Sequence, residues 1–141
     1  MDLTKGYPRS PRDRLIGLPM LPRTIDKARA KLEGTIGEYV FGEKSSFDMA
    51  LLEFLNVTPE QFLDGVRVSP DDAAMVRWLE ANARKATPAE AEAFATVFVN
   101  DGDDDADRAR FVERRAQLPA QVQPRVTGWV DLLDVQEGRI T

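Results

Sequence analysis

Four Ser/Thr-Pro pairs punctuate the chain, and each is followed by a side chain able to close a capping box. They are Ser10-Pro11 with Asp13, Thr58-Pro59 with Gln61, Ser69-Pro70 with Asp72 and Thr87-Pro88 with Glu90. In this pattern the hydroxyl accepts a hydrogen bond from the amide three residues on. Pro takes the first helical position, where its missing N–H is harmless, and the third helical side chain reaches back to the cap. Each pair predicts a helix start, and the residues that follow have helical spacing. Phe47, Ala50, Leu51, Phe54 and Leu55 form an apolar stripe behind Ser45 or Ser46. Phe62, Leu63 and Val66, then Ala74, Met75, Trp78 and Leu79, then Ala91, Phe94, Ala95 and Phe98 repeat the arrangement. Residues 104–118 are highly charged, with Phe111, Val112 and Leu118 as apolar anchors, which predicts a peripheral helix. Val126, Trp129, Val130 and Leu133 make a last stripe, weakened by Gly128.

Ahead of these, residues 24–33 read as a helix with Pro22 near its start and Gly34 beyond its end. Ile25, Ala28 and Leu32 are expected to face the core, while Arg23, Lys27 and Lys31 stand at i, i+4 and i+8 on another face. Ile36–Gly42 alternates between flanking glycines and leaves room for one short extended segment, which cannot form a sheet alone. The expected fold is all-α: a single compact domain over 1–141 with six to eight short helices. Its basic, Pro-rich segment 1–20 is packed on that domain or extends from it.

Composition closes off much chemistry. The chain has no histidine and no cysteine. That removes Ser-His-Asp triads, His- and Cys-ligated metals, disulfides and cysteine nucleophiles. No catalytic residue, metal or cofactor is expected. No stretch approaches the roughly 18–20 apolar residues of a membrane span, and the polar start MDLTKGYPRSPR lacks a signal core, so a soluble, cytoplasmic protein is expected. The glycines form neither GxGxxG nor GxxxxGK[ST]. Asp101, Asp103 and Asp105 match the first positions of a calcium loop, but the sixth position is Ala106 and the twelfth Val112; a solvated interhelix loop fits the residues better. Glu38 and Tyr39 offer a carboxylate and a phenol in a loop, where a structural role is expected, and Trp78 and Trp129 are expected to fill the interior.

Charge is distributed unevenly. The net charge is −5, yet residues 1–31 carry +5 and residues 32–141 carry −10. Lys5, Arg9, Arg12 and Arg14, with the Arg23, Lys27 and Lys31 face, form the candidate anion-binding surface, since guanidinium forks grip phosphate and carboxylate. The competing reading is that these cations pair with the protein's own carboxylates and pin segment 1–20 across the body. A pI near 4.8 argues against a duplex-DNA binder, and Tyr7 alone interleaves with the basic groups, which argues against single-stranded nucleic acid.

Three stretches carry a family likeness: DLTKGYPRSPR at 2–12, LPRTIDKARAKLEGTIGEY at 21–39 and WVDLLDVQEGR at 129–139. In these the chain resembles a family of small bacterial proteins known as a domain of unknown function. The resemblance implies a bacterial, cytoplasmic, single-domain helical protein and carries no catalytic residue or cofactor with it. The leading functional expectation is a non-enzymatic binding or adaptor domain for an anionic small molecule or an acidic protein surface, including a second copy of itself. On that reading, replacing Arg9, Arg12 and Lys27 by Ala abolishes binding and leaves the melting temperature nearly unchanged. The alternative is a small enzyme using Asp, Glu, Lys, Arg and Tyr, signalled by a deep pocket with a perturbed carboxylate beside Lys5, Arg9, Arg23 or Lys27.

Overall fold

The computed structural model describes residues 1–99 and 105–140. Among them are seven α-helices: α1 (Leu21–Glu33), α2 (Ser46–Leu55), α3 (Pro59–Arg67), α4 (Asp72–Asn82), α5 (Pro88–Val99), α6 (Asp105–Ala116) and α7 (Trp129–Gln136). A turn of 3-10 helix, Gln123–Arg125, precedes α7. No helix among the described residues is long and apolar enough to cross a membrane.

Local signals fixed several helix starts as expected. Thr58 and Gln61 exchange both bonds of a capping box, and Thr87 and Glu90 do the same ahead of α5. Ser45 caps α2 through the Asp48 amide. Gly34, at φ 73°, ends α1 in the left-handed conformation that a Cβ disfavours.

Two of the four pairs start no helix at the predicted place. Ser69-Pro70 is displaced because Asp71, two residues on, caps α4 by accepting from the Ala74 amide. Ser10-Pro11 makes only a turn. The Asp13 amide donates to the Ser10 carbonyl, the Arg12 amide to the Ser10 hydroxyl and the Ser10 amide to Asp13, while the hydroxyl itself donates to Asp134; the turn is not continued because the backbone becomes extended at Arg14. The chain then enters a two-stranded antiparallel hairpin, β1 (Arg14–Leu15) with β2 (Leu18–Pro19), in which Leu15 faces Leu18. Its two-residue loop, Ile16-Gly17, has φ values of 49° and 78°, the positive pair that a tight hairpin turn needs. The extended element is therefore here and not at 36–42, which forms turns instead of a strand.

Helix α1 is the hub. It packs on α3 and on the hairpin, burying Leu21, Ile25 and Ala28 in a core with Leu51, Leu52, Leu55, Phe62, Val66, Met75 and Leu79. Leu32, expected inside, is exposed. Helices α3 and α4 approach closely at Gly65: a Cβ there would lie 2.6 Å from the Trp78 ring, so a side chain at this position would have to displace the indole. A second cluster, Phe111, Val122, Val126 and Leu132, joins α6 to α7, with Trp129 packed against it. The peripheral charged helix expected near 104–118 is α6.

Candidate functional site

Helix α1 carries Arg23, Thr24, Asp26 and Lys27 in consecutive turns, and all four are buried. Burying a charge is costly unless it is paired and hydrogen-bonded, so each must have a partner from elsewhere in the chain. Arg23 forms a two-pronged bond to Glu137, at 2.8 and 2.7 Å, with side-chain exposures of 3% and 5%. Arg139 and the Tyr39 hydroxyl, at 3.0 Å, also donate to Glu137. Burial pushes the Glu137 carboxyl upward, but Arg23, Arg139 and Tyr39 together outweigh it and hold the group below the usual carboxylate range. Tyr39 is pushed up to about 12, by burial first and then by its bond to the carboxylate.

The Lys27 ammonium lies 2.9 Å from Asp48, whose side chain has no exposure at all. Asp48 also accepts from the Thr24 hydroxyl and the Gly42 amide, each at 3.0 Å. Burial lowers the affinity of Lys27 for its proton more than Asp48 raises it, and the Arg23 charge acts in the same direction as burial.

The two cations of these pairs, Arg23 and Lys27, line a cleft of about 790 Å³ between α1, α2, α6 and α7. Among the described residues its walls bring together five cationic side chains, Arg23, Lys27, Lys44, Arg110 and Arg114, against one carboxylate side chain, Glu38. Tyr39 and Trp129 supply aromatic surface on its sides. Arg23 lies 5.6 Å from the Tyr39 ring centre and Arg114 the same distance from that of Trp129. Phe111 meets Trp129 edge-on at 5.7 Å, which fixes the indole from behind.

The remaining predicted residues lie elsewhere. Arg9 bridges Asp26 and Asp72, with its closest side-chain bonds at 3.1 and 2.6 Å; the Asp72 bond, reinforced by Asp26, raises its proton affinity above the ordinary arginine value. Arg12 pairs with Asp131 and Asp134, and Arg14 with Glu92 at 2.8 Å. These three pin segment 1–20 onto α1, α4, α5 and α7, the arrangement given above as the competing reading. Lys5 lies on a second cleft, of about 750 Å³, with Tyr7, and Lys31 on a third, of about 360 Å³. Tyr39 lines all three clefts.

Of the residues named from the sequence, Arg23 and Lys27 line this cleft; Lys44, Arg110 and Arg114 line it too but lie in segments that read as ordinary solvated surface. Trp129, expected as interior filling, is half-buried on the cleft wall. The perturbed carboxylate sought beside Arg23 is Glu137, but its shift is downward: it is held as a charged anchor and has little basicity for proton abstraction. The acidic stretch Asn100–Asp107 lies outside the residues whose side chains are described. Among the described residues no cluster of acidic side chains could hold a metal.

No curated protein matches the chain. The family model titled Domain of unknown function (DUF5069) matches residues 5–139, nearly the full length that the N-terminal, α1 and C-terminal motifs span, and the chain belongs to that family.

Proposed function

We propose that the protein is a binding domain for a small anionic molecule, a carboxylate or phosphate, held in the cleft above Arg23 and Lys27. The observation that carries this reading is that, among the described residues, five cations and one carboxylate line a single cleft, in a chain whose net charge is −5. Such an imbalance raises the local concentration of anions, and partly enclosed walls strengthen the attraction relative to open water. The deep pair, Arg23 and Lys27, is largely neutralised by Glu137 and Asp48, so Lys44 and Arg114 at the rim supply the attraction and make the contacts. Trp129 and Tyr39 favour a ligand with a planar or apolar portion beside its charge. A bacterial cytoplasmic setting, which the motif resemblance implies, belongs to the same proposal.

The roles of the basic residues therefore separate. Lys44→Ala and Arg114→Ala, both at exposed positions, are each expected to weaken binding of inorganic phosphate about tenfold, equivalent to about 1.4 kcal/mol, with an unchanged melting temperature. Arg9→Ala and Arg12→Ala are expected to leave binding intact and lower the melting temperature. Calorimetric titration at low and moderate salt, beside thermal melts, checks both halves. Equal loss of binding in all four variants would return the site to the N-terminal surface.

A further inference from the structure

Resting on the anion-binding reading, we infer that Lys27 is a carbonyl-reactive amine, and that the cleft takes small 2-oxo carboxylates and captures them as an imine. Four observations support this. Lys27 reaches the cleft from α1 while its side chain is only 5% exposed, so its amine is desolvated yet opens on the space a ligand would fill. Arg23, one helical turn away on the same face, adds a like charge that disfavours a protonated amine, opposed by its own partner Glu137. The Asp48 carboxylate, 2.9 Å from Nζ, holds the end of the Lys27 side chain in one place beside the cleft. Lys44 and Arg114 at the rim supply the carboxylate anchor that would orient the adjacent carbonyl toward Nζ.

The chemistry balances without a cofactor. The ammonium gives one proton to water, and the free nitrogen lone pair attacks the carbonyl carbon. An N–C bond forms while the carbonyl π electrons move to oxygen, and a proton passes from the now cationic nitrogen to that oxygen to give the carbinolamine. The hydroxyl takes up a proton from water, the C–O bond breaks and water leaves, and nitrogen supplies the second bond of C=N and gives its remaining proton back to water. Amine and ketone have become imine and water. Ser45, whose hydroxyl lies 3.5 Å from Nζ, is near enough to hydrogen-bond the carbinolamine oxygen.

The test uses the full wild-type chain with pyruvate as probe and sodium cyanoborohydride as the added reductant, which converts C=N to a stable secondary amine. Peptide mass mapping then locates the adduct. The expected result is labelling of Lys27 about tenfold or more above Lys5, Lys31, Lys44 and Lys85, suppressed by inorganic phosphate. Lys27→Arg, which keeps a cation beside Asp48, is expected to lose that adduct, whereas Lys85→Ala, outside the cleft, is expected to keep it. Labelling that follows exposure and spares Lys27 overturns the inference. If phosphate still binds in that case, the cleft reading survives and only the imine is lost; if neither probe engages the cleft, both are wrong.

Discussion

Replacing Arg23 by Ala is expected to cost about 3–5 kcal/mol of folding free energy at neutral pH, because it leaves Glu137 as a buried carboxylate without its principal counter-charge. Arg139 and Tyr39 still donate to Glu137, which favours the lower end of that range. Urea denaturation measures the loss directly. Arg12→Ala provides the contrast: its side chain is 48% exposed, and removal of a surface pair costs about 1 kcal/mol or less. The pH dependence has a definite sign. Glu137 is held below its ordinary value in the folded chain, so its contribution is present above about pH 4.3 and lost as pH falls through the lowered value. The gap between wild type and Arg23→Ala is therefore expected to narrow in acid, where a protonated Glu137 no longer needs the guanidinium.

Asp48→Ala is expected to be as damaging, about 3–5 kcal/mol. It strands the Lys27 ammonium and removes the acceptor for the Thr24 hydroxyl and the Gly42 amide together. Asp48→Asn retains an acceptor oxygen and is expected to lose less. Without Asp48, the proton affinity of Lys27 drops further below the ordinary lysine value. The unfolded chain then binds a proton that the folded chain releases, and stability of the variant is expected to rise as pH approaches about 10.4. Denaturation midpoints at neutral and alkaline pH check this; a midpoint indifferent to pH would mean that the Lys27 amine is not desolvated.

What was legible in the sequence was what depends on near neighbours. Thr58 with Gln61 and Thr87 with Glu90 close their boxes within one turn, and the stripes Leu51–Leu55, Met75–Leu79 and Ala91–Phe98 reach the core through helical periodicity alone. The Ser10 start failed because the chain becomes extended at Arg14, where the hairpin begins, and its hydroxyl donates to Asp134, a partner 124 residues away that no local pattern announces. The charges of α1 were misread for the same reason. Periodicity assigns Arg23 and Lys27 to a wet face, whereas Glu137 and Asp48 arrive from other elements and make burial tolerable. The uneven charge of the two parts of the chain was a sound signal, but most of it is spent internally: Arg9, Arg12 and Arg14 hold the N-terminal segment to the body. The cleft itself was hidden because its cations come from α1, the turn before α2, and α6, which are distant in sequence and brought together only by packing around Trp129.

The two tryptophans provide the most direct test of the cleft. Trp129 stands on its wall, whereas Trp78 is held against Gly65 between α3 and α4 and does not line it. Their indole N–H resonances can be followed in the nitrogen-15-labelled full chain during titration with inorganic phosphate at two salt concentrations. The cleft reading predicts that the Trp129 resonance moves saturably, less so at the higher salt, while Trp78 stays fixed. A stationary Trp129, or equal movement of both resonances, would contradict it.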